Sequence, residues 1–290
     1  MSKTRVNIDT QHSDRRGLLG LFETAFRRFN LIGALVVLMP VYLLGVFCFA
    51  IALTPGALLF GAVYPYLEHQ SALVWAFGVS ALVASAYVLF GFSMILVTPA
   101  LNFICRTYPR PWRGPYYSLQ TIQWGIHNVF TYMPRYTFLE FLTPTPFNVL
   151  FYRLLGMKVG EGTQINTTNI SDPCLIEIGE KVTIGGSATI VGHYGQGGFL
   201  VLAPVKIGKG ATIGLRATIM GDVEIGEYAK ILPNSVLLPK TRIGAGETWG
   251  GVPAVKLNMT THLSAQRRER RQLSKTQSDL KTPVKKMSNG

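Results

Sequence analysis

Isoleucine or leucine returns every six residues at Ile207, Ile213, Ile219, Ile225, Ile231, Leu237 and Ile243, giving seven consecutive hexads that run to Thr248. Neither the 3.6-residue turn of a helix nor the two-residue alternation of a flat strand produces this period. A fixed short repeat marks a β-solenoid, in which one unit cannot bury its apolar face alone and stacked neighbours complete the core. The fifth place is small or β-branched at Ala211, Ala217, Val223, Ala229, Ser235 and Thr241, with Glu247 the exception. Glycine takes the second place at Gly208, Gly214, Gly226 and Gly244. One short strand per hexad and three hexads per coil would stack the opening residues into apolar columns. The pattern predicts an all-β left-handed parallel β-helix over residues 159–257.

The repeat begins earlier and is interrupted twice. Val159-Gly160 and Ile165 open a first pair of hexads, and Ile178, Ile184 and Ile190 form a second run. Ile165 to Ile178 is thirteen residues, one more than two hexads, which places a bulge near Ser171–Cys174. Ile190 to Ile207 is seventeen, so a loop leaves the solenoid around His193–Phe199. Insertions into a strict repeat commonly share the binding face.

Upstream the chain changes character. Charged residues make up only 15% of it, because Phe29–Leu53 carries no charge over 25 positions and Ser71–Cys105 none over 35. Each stretch exceeds the roughly 20 residues that cross a bilayer. The expected organisation is a polar segment 1–28, a two-helix transmembrane hairpin over 29–105 and an interfacial linker over 106–158. The solenoid follows at 159–257, then a basic, disordered tail at 258–290. Arg15, Arg16, Arg27 and Arg28 precede the first span and Arg106, Arg110 and Arg113 follow the second, whereas Thr54–Gln70 has no Lys or Arg. By the positive-inside rule both termini and the solenoid lie in the cytoplasm, at the inner or plasma membrane. Of the net charge of +13, residues 263–290 supply +6, eight basic groups against two acidic ones. Beside a membrane domain such a tail reads as attraction to anionic lipid. No nucleic-acid-binding module accompanies it, so nucleic acid is not an expected partner.

The linker is rich in aromatic residues and proline. Trp112, Tyr116, Tyr117, Trp124 and Tyr132 suit the membrane interface. Short helices are expected near Ser118–Tyr132 and Phe147–Leu155, the second capping the first coil. His127 reads as a buried or interfacial histidine. Three scattered cysteines, Cys48, Cys105 and Cys174, form no disulfide framework, and Cys174 reads as a buried thiol.

Chemistry is sought where the repeat breaks. His193 is the one histidine of the coil region and stands at the mouth of the second insertion. Imidazole titrates near neutrality, which suits a general base for acyl transfer. One coil back from His193, allowing for the bulge, lies Asp172. That carboxylate is placed to orient the imidazole, although capping its own Asp-Pro turn is the competing reading. Glu177 is a third candidate.

The stretch Ile178–Lys256 resembles the hexapeptide-repeat acyltransferases. Its closing run Trp249-Gly250-Gly251-Val252-Pro253-Ala254 is similar to that family's terminal segment. It is closer still to the solenoid region of ε-polylysine-synthetase-like proteins. The resemblance implies a homotrimer with acyl-CoA, such as acetyl-CoA, between neighbouring solenoids. It implies a catalytic histidine at His193, and a pantetheine arm along Gly214, Ala217 and Ser235. CoA phosphates would meet Lys230, Lys240 or Lys256. Val252 stands where the family has Asn, and Lys256 comes one place late. With a single histidine in the coils, the three-histidine zinc site known on this fold is not expected.

These readings converge on a membrane-anchored acyl-CoA-dependent acyltransferase, an O-acetyltransferase in the first instance. Its acceptor hydroxyl or amine would belong to a lipid-linked or envelope glycan. The alternatives are a non-catalytic trimeric scaffold of a membrane synthase, or an amide-forming domain acting with a synthetase partner.

Overall fold

The computed structural model describes residues 12–13 and 15–258. Lys3, Arg5 and the basic tail beyond 258 lie outside them.

The hexads form a parallel β-solenoid of three sheets. Ile178, Ile207, Ile225 and Ile243 lie in register on one sheet. Ile165, Ile184, Ile213 and Ile231 form the second column, closed by Trp249, and Ile170, Ile190, Ile219 and Leu237 the third. Nearly all of these side chains are buried in one continuous core. The fifth-place residues Ala211, Ala217, Val223, Ala229 and Ser235 are fully buried, which explains their size. At the second place a Cβ on Gly214 would sit 2.4 Å from the Pro233 backbone nitrogen, so the coils approach too closely there for a side chain. The fourth place carries a further constraint. Gly210, Arg216, Asp222, Tyr228, Asn234, Lys240 and Gly246 all have positive φ, turning the chain from one sheet to the next. Side chains tolerate this left-handed conformation at a cost, so no single residue type marks the position.

Ahead of the solenoid stand two long antiparallel helices, α1 (Leu18–Leu67) and α2 (Ala72–Cys105). α1 is uninterrupted for 50 residues. The segment Thr54–Gln70 between the two expected spans is therefore helical down to Leu67, and α1 also takes in residues 18–28 of the polar segment. Within α1, Leu38–Leu67 is long and apolar enough to cross a membrane, as is α2 over Ala72–Cys105. The helices touch closely at Gly56, where a Cβ would lie 3.0 Å from that of Ala86, and around Cys48, Ala52, Phe90 and Met94.

Burial changes along α2. Its first half exposes Leu73, Phe77, Val83 and Tyr87, while Phe90, Met94, Ile95, Thr98 and Asn102 in its second half are buried. The second half packs on α3 (Leu119–Pro134), on a π-helical turn at Arg135–Leu139 and on α4 (Pro146–Leu154). Ile95 of α2 joins Phe138, Leu139, Phe151, Tyr152 and Leu155 in the same cluster as the solenoid columns. Asn148 of α4 donates to the Ile165 carbonyl at 2.7 Å and ties that lid to the first coil. The first coil is thus sealed by α4, which packs in turn on α2.

Candidate active site

Both interruptions of the repeat are ordered. After Ser171 the chain enters the left-handed region at Asp172 (φ +59°) and makes a 3-10 turn at Pro173–Leu175. Aspartate is among the few residues that occupy this region readily. The second interruption is a β-hairpin. Strand β1 (Trp112–Pro115) of the linker pairs with β3 (Phe199–Leu202), which pairs with β2 (His193–Gln196). Gly192 lets the hairpin close onto the Asp172 turn, since a Cβ there would lie 2.9 Å from that of Leu175 and 3.1 Å from that of Asp172.

This packing brings the two candidate residues together. His193 Nδ1 lies 2.5 Å from Asp172 Oδ2. The carboxylate is fully buried, while the histidine side chain remains 24% exposed. The other oxygen, Oδ1, accepts from Trp124 Nε1 at 2.7 Å and Asn128 Nδ2 at 2.9 Å. Burial alone pushes the Asp172 carboxyl up. The hydrogen bond and charge of His193, followed by the bonds from Asn128 and Trp124, outweigh burial and hold it below its usual value. An ionised carboxylate can only accept, so His193 Nδ1 carries a proton, and in the neutral imidazole Nε2 is the nitrogen with the lone pair. The Trp124 ring meets the imidazole edge-on, with centroids 5.0 Å apart.

The competing readings for Asp172 are corrected: its side chain caps no turn, and Glu177 is exposed and paired with Lys158. Trp124, expected at the membrane interface, turns its indole N–H to the carboxylate. Trp124 and Asn128 were not picked out as site residues. Their four-residue spacing puts them on one face of α3, but nothing local couples them to a residue 44 positions away.

A second buried cluster lies behind the first. His127 Nδ1 is 3.0 Å from Asn102 Oδ1, and Nε2 is 3.7 Å from Cys174 Sγ. Burial lowers the His127 pKa to about 4, opposed only by the Asp172 charge. Burial also pushes the Cys174 thiol up to about 12. An imidazole this hard to protonate cannot draw a proton from such a thiol, so the trio resembles a nucleophilic constellation in arrangement only.

The proposed donor residues are dispersed. Gly214 and Ala217 commit their backbone N–H groups to the Ile231 and Gly214 carbonyls, and buried Ser235 donates its hydroxyl to the Leu232 carbonyl. These donors are thus engaged in the coil's own hydrogen bonds. Lys256 is bound to Glu247 at 2.6 Å. Lys230 is exposed on the second sheet. Lys240 instead lines a cleft of about 330 Å³ with Tyr194, Gln196, Met220 and Leu238, on the face of the hairpin opposite His193. Among the described residues, no three His, Cys, Asp or Glu side chains form a cluster suited to a metal.

Residues 204–239 match the bacterial transferase hexapeptide family (six repeats). The chain is 22% identical over 171 residues to a delta-poly-L-ornithine synthetase of Acinetobacter baumannii, an alignment covering 59% of this chain and 13% of that protein. Among solved structures it is similar to a maltose O-acetyltransferase from Clostridium difficile (26% identity, 36% of this chain, 58% of that one, TM-score 0.32). It is also similar to a hexapeptide-repeat acetyltransferase from Vibrio cholerae complexed with acetyl coenzyme A (24% identity, 36% and 60% coverage, TM-score 0.32). The chain thus spans a small part of the curated relative and about three fifths of these solved chains.

Proposed function

We propose that this protein is a membrane-anchored acyltransferase that uses acetyl-CoA and acylates a hydroxyl or amine of a lipid-linked or envelope glycan. The observation that carries the reading is the His193–Asp172 pair at 2.5 Å, assembled from the two breaks in the repeat. Asp172 holds Nδ1–H and fixes the tautomer, which leaves Nε2 to take a proton. As the acceptor oxygen attacks the thioester carbonyl, its proton passes to Nε2 and a C–O bond forms. Collapse of the tetrahedral intermediate breaks the C–S bond, and the departing CoA thiolate takes the proton back from the imidazolium. The cleft beside Tyr194 and Lys240 is our donor site, with the Lys240 ammonium facing the CoA phosphates.

Anchoring is proposed from the two apolar helices, with α2 delivering Arg106, Arg110 and Arg113 on the cytoplasmic side. Half-exposed Leu215 and Leu232 give the solenoid an apolar surface suited to a homotrimer. The test uses the full chain purified in detergent. Calorimetry should detect acetyl-CoA binding, and thioester consumption should fall at least a hundredfold in His193→Ala. No binding across several acyl-CoAs would overturn the donor assignment, and turnover unaffected by the substitution would overturn the base. The alignment to the poly-ornithine synthetase favours one other reading, amide formation on a synthetase-bound substrate. Amide formation only on a substrate carried by a synthetase partner, with no transfer from acetyl-CoA to free hydroxyls or amines, would select it.

A further inference from the structure

Besides the donor cleft, a second opening lies at the junction of α2, α3 and the hairpin. It has a volume of about 570 Å³ and is lined by Arg106, Arg110, Trp112, Gln120, Gln123 and Leu202, among others. Its walls are held in place. Arg106 sits in the left-handed region at the end of α2, with its N–H on the Phe103 carbonyl. Gln123 Nε2 bridges the Arg106 and Tyr108 carbonyls at 3.1 and 3.3 Å, and Thr107 Oγ1 donates to Asn102 Oδ1 at 2.6 Å. Both arginine side chains are exposed, and neither forms an ion pair among the described residues. Two guanidinium groups on a fixed loop offer the forked donors that match a phosphate.

Two further observations say what kind of phosphate. The residues just before Arg106 are apolar and open: Phe103 is 72% and Ile104 70% exposed, on the last turn of a helix apolar enough to cross a membrane. An aliphatic tail lying along them would place its headgroup at the arginines. The cleft also points to the dyad. Trp112 and His193 both stand directly opposite Leu202, so the three side chains share one face of the β1–β3–β2 sheet. Two strand spacings separate Trp112 from His193, about 10 Å.

We infer that this cleft binds the phosphate headgroup of a membrane lipid and so presents the acceptor of the acyl transfer to His193. The inference rests on the acyltransferase reading and names the acceptor's class: a phosphate-bearing lipid whose hydroxyl or amine lies about two strand widths beyond the phosphate. The Lys240 cleft is reserved for the donor.

Binding separates this claim from the catalytic one. Full-length protein in dodecyl maltoside micelles, a non-ionic detergent with the same tail length, is titrated with dodecyl phosphate, inorganic phosphate and CoA. Tryptophan fluorescence follows binding, since Trp112 lines the cleft. Dodecyl phosphate should saturate, and Arg106→Gln with Arg110→Gln should weaken it at least tenfold while elution volume and melting temperature hold. His193→Ala should bind it as the native protein does while losing turnover, so failure of either claim is read independently. Inorganic phosphate binding as tightly as dodecyl phosphate would overturn the lipid assignment. CoA displacing dodecyl phosphate would reassign the cleft to the donor, and binding unchanged in the double variant would remove the site.

Discussion

The buried His127 makes stability depend on pH in a way that can be calculated. Its imidazole is fully buried, between Asn102 and Cys174, and its pKa falls from 6.5 to about 4. Unfolding restores the ordinary value, so between these limits the unfolded chain binds the extra proton. Stability from this residue is therefore complete above about pH 6.5 and drains away as pH falls toward 4. At about 1.4 kcal/mol per tenfold change in proton affinity, the full loss is about 3 kcal/mol. Asp172 acts in the same direction but lower. Its carboxyl is held below the usual value, so its contribution persists above pH ~4 and is lost only as pH falls further. The two windows are separable. Unfolding in detergent from pH 8 to 4 should show the native protein losing stability from pH 6.5 downward, and His127→Gln should flatten that slope. A glutamine keeps a donor for the Asn102 oxygen and takes no proton. Parallel slopes in the two proteins, or a His127 resonance titrating near 6.5, would refute the argument.

Other expectations follow from the same geometry. Asp172→Asn should lower kcat by two to four orders of magnitude with little change in KM, because it removes the group that selects the His193 tautomer; stopped turnover assays at saturating donor measure this. Gly192→Ala should fold yet lose activity, since the added methyl would meet Leu175 and Asp172 at about 3 Å and push the hairpin outward. Ile219→Ala, in the buried third column, should cost about 2–5 kcal/mol in chemical denaturation. At pH 8 iodoacetamide should modify exposed Cys105 and spare Cys174, as peptide mass analysis would show.

The solenoid was legible because its constraint is periodic. Each opening Ile meets its equivalent eighteen residues on in the regular coils, so spacing alone fixes register from Ile207 to Ile243. Counting also located the dyad, since Asp172 and His193 are the residues the count displaces. The rest of the site depends on α3, which is held against α2 and the π-helical turn at Arg135–Leu139. No spacing encodes that docking, which is why Trp124 and Asn128 went unnoticed. The boundaries of α1 escaped for a related reason: composition shows where charge stops, not where a helix does. For Gly214 and Ala217, sequence reveals small residues but not that their amides are bonded within the coil.

The pairing of β1 with β3 means the unit that holds the His193–Asp172 pair does not begin where the repeat begins. A soluble fragment starting at residue 159 would keep every coil, His193 and Asp172. It would lose the strand that steadies the hairpin and both donors on Asp172 Oδ1. Such a fragment could hold its shape and still leave a buried carboxylate half-solvated beside a wandering imidazole. The smallest inheritable piece that keeps the pair intact therefore extends back through Trp112, and the solenoid is best grafted, expressed or evolved together with the helical chain that leads into it.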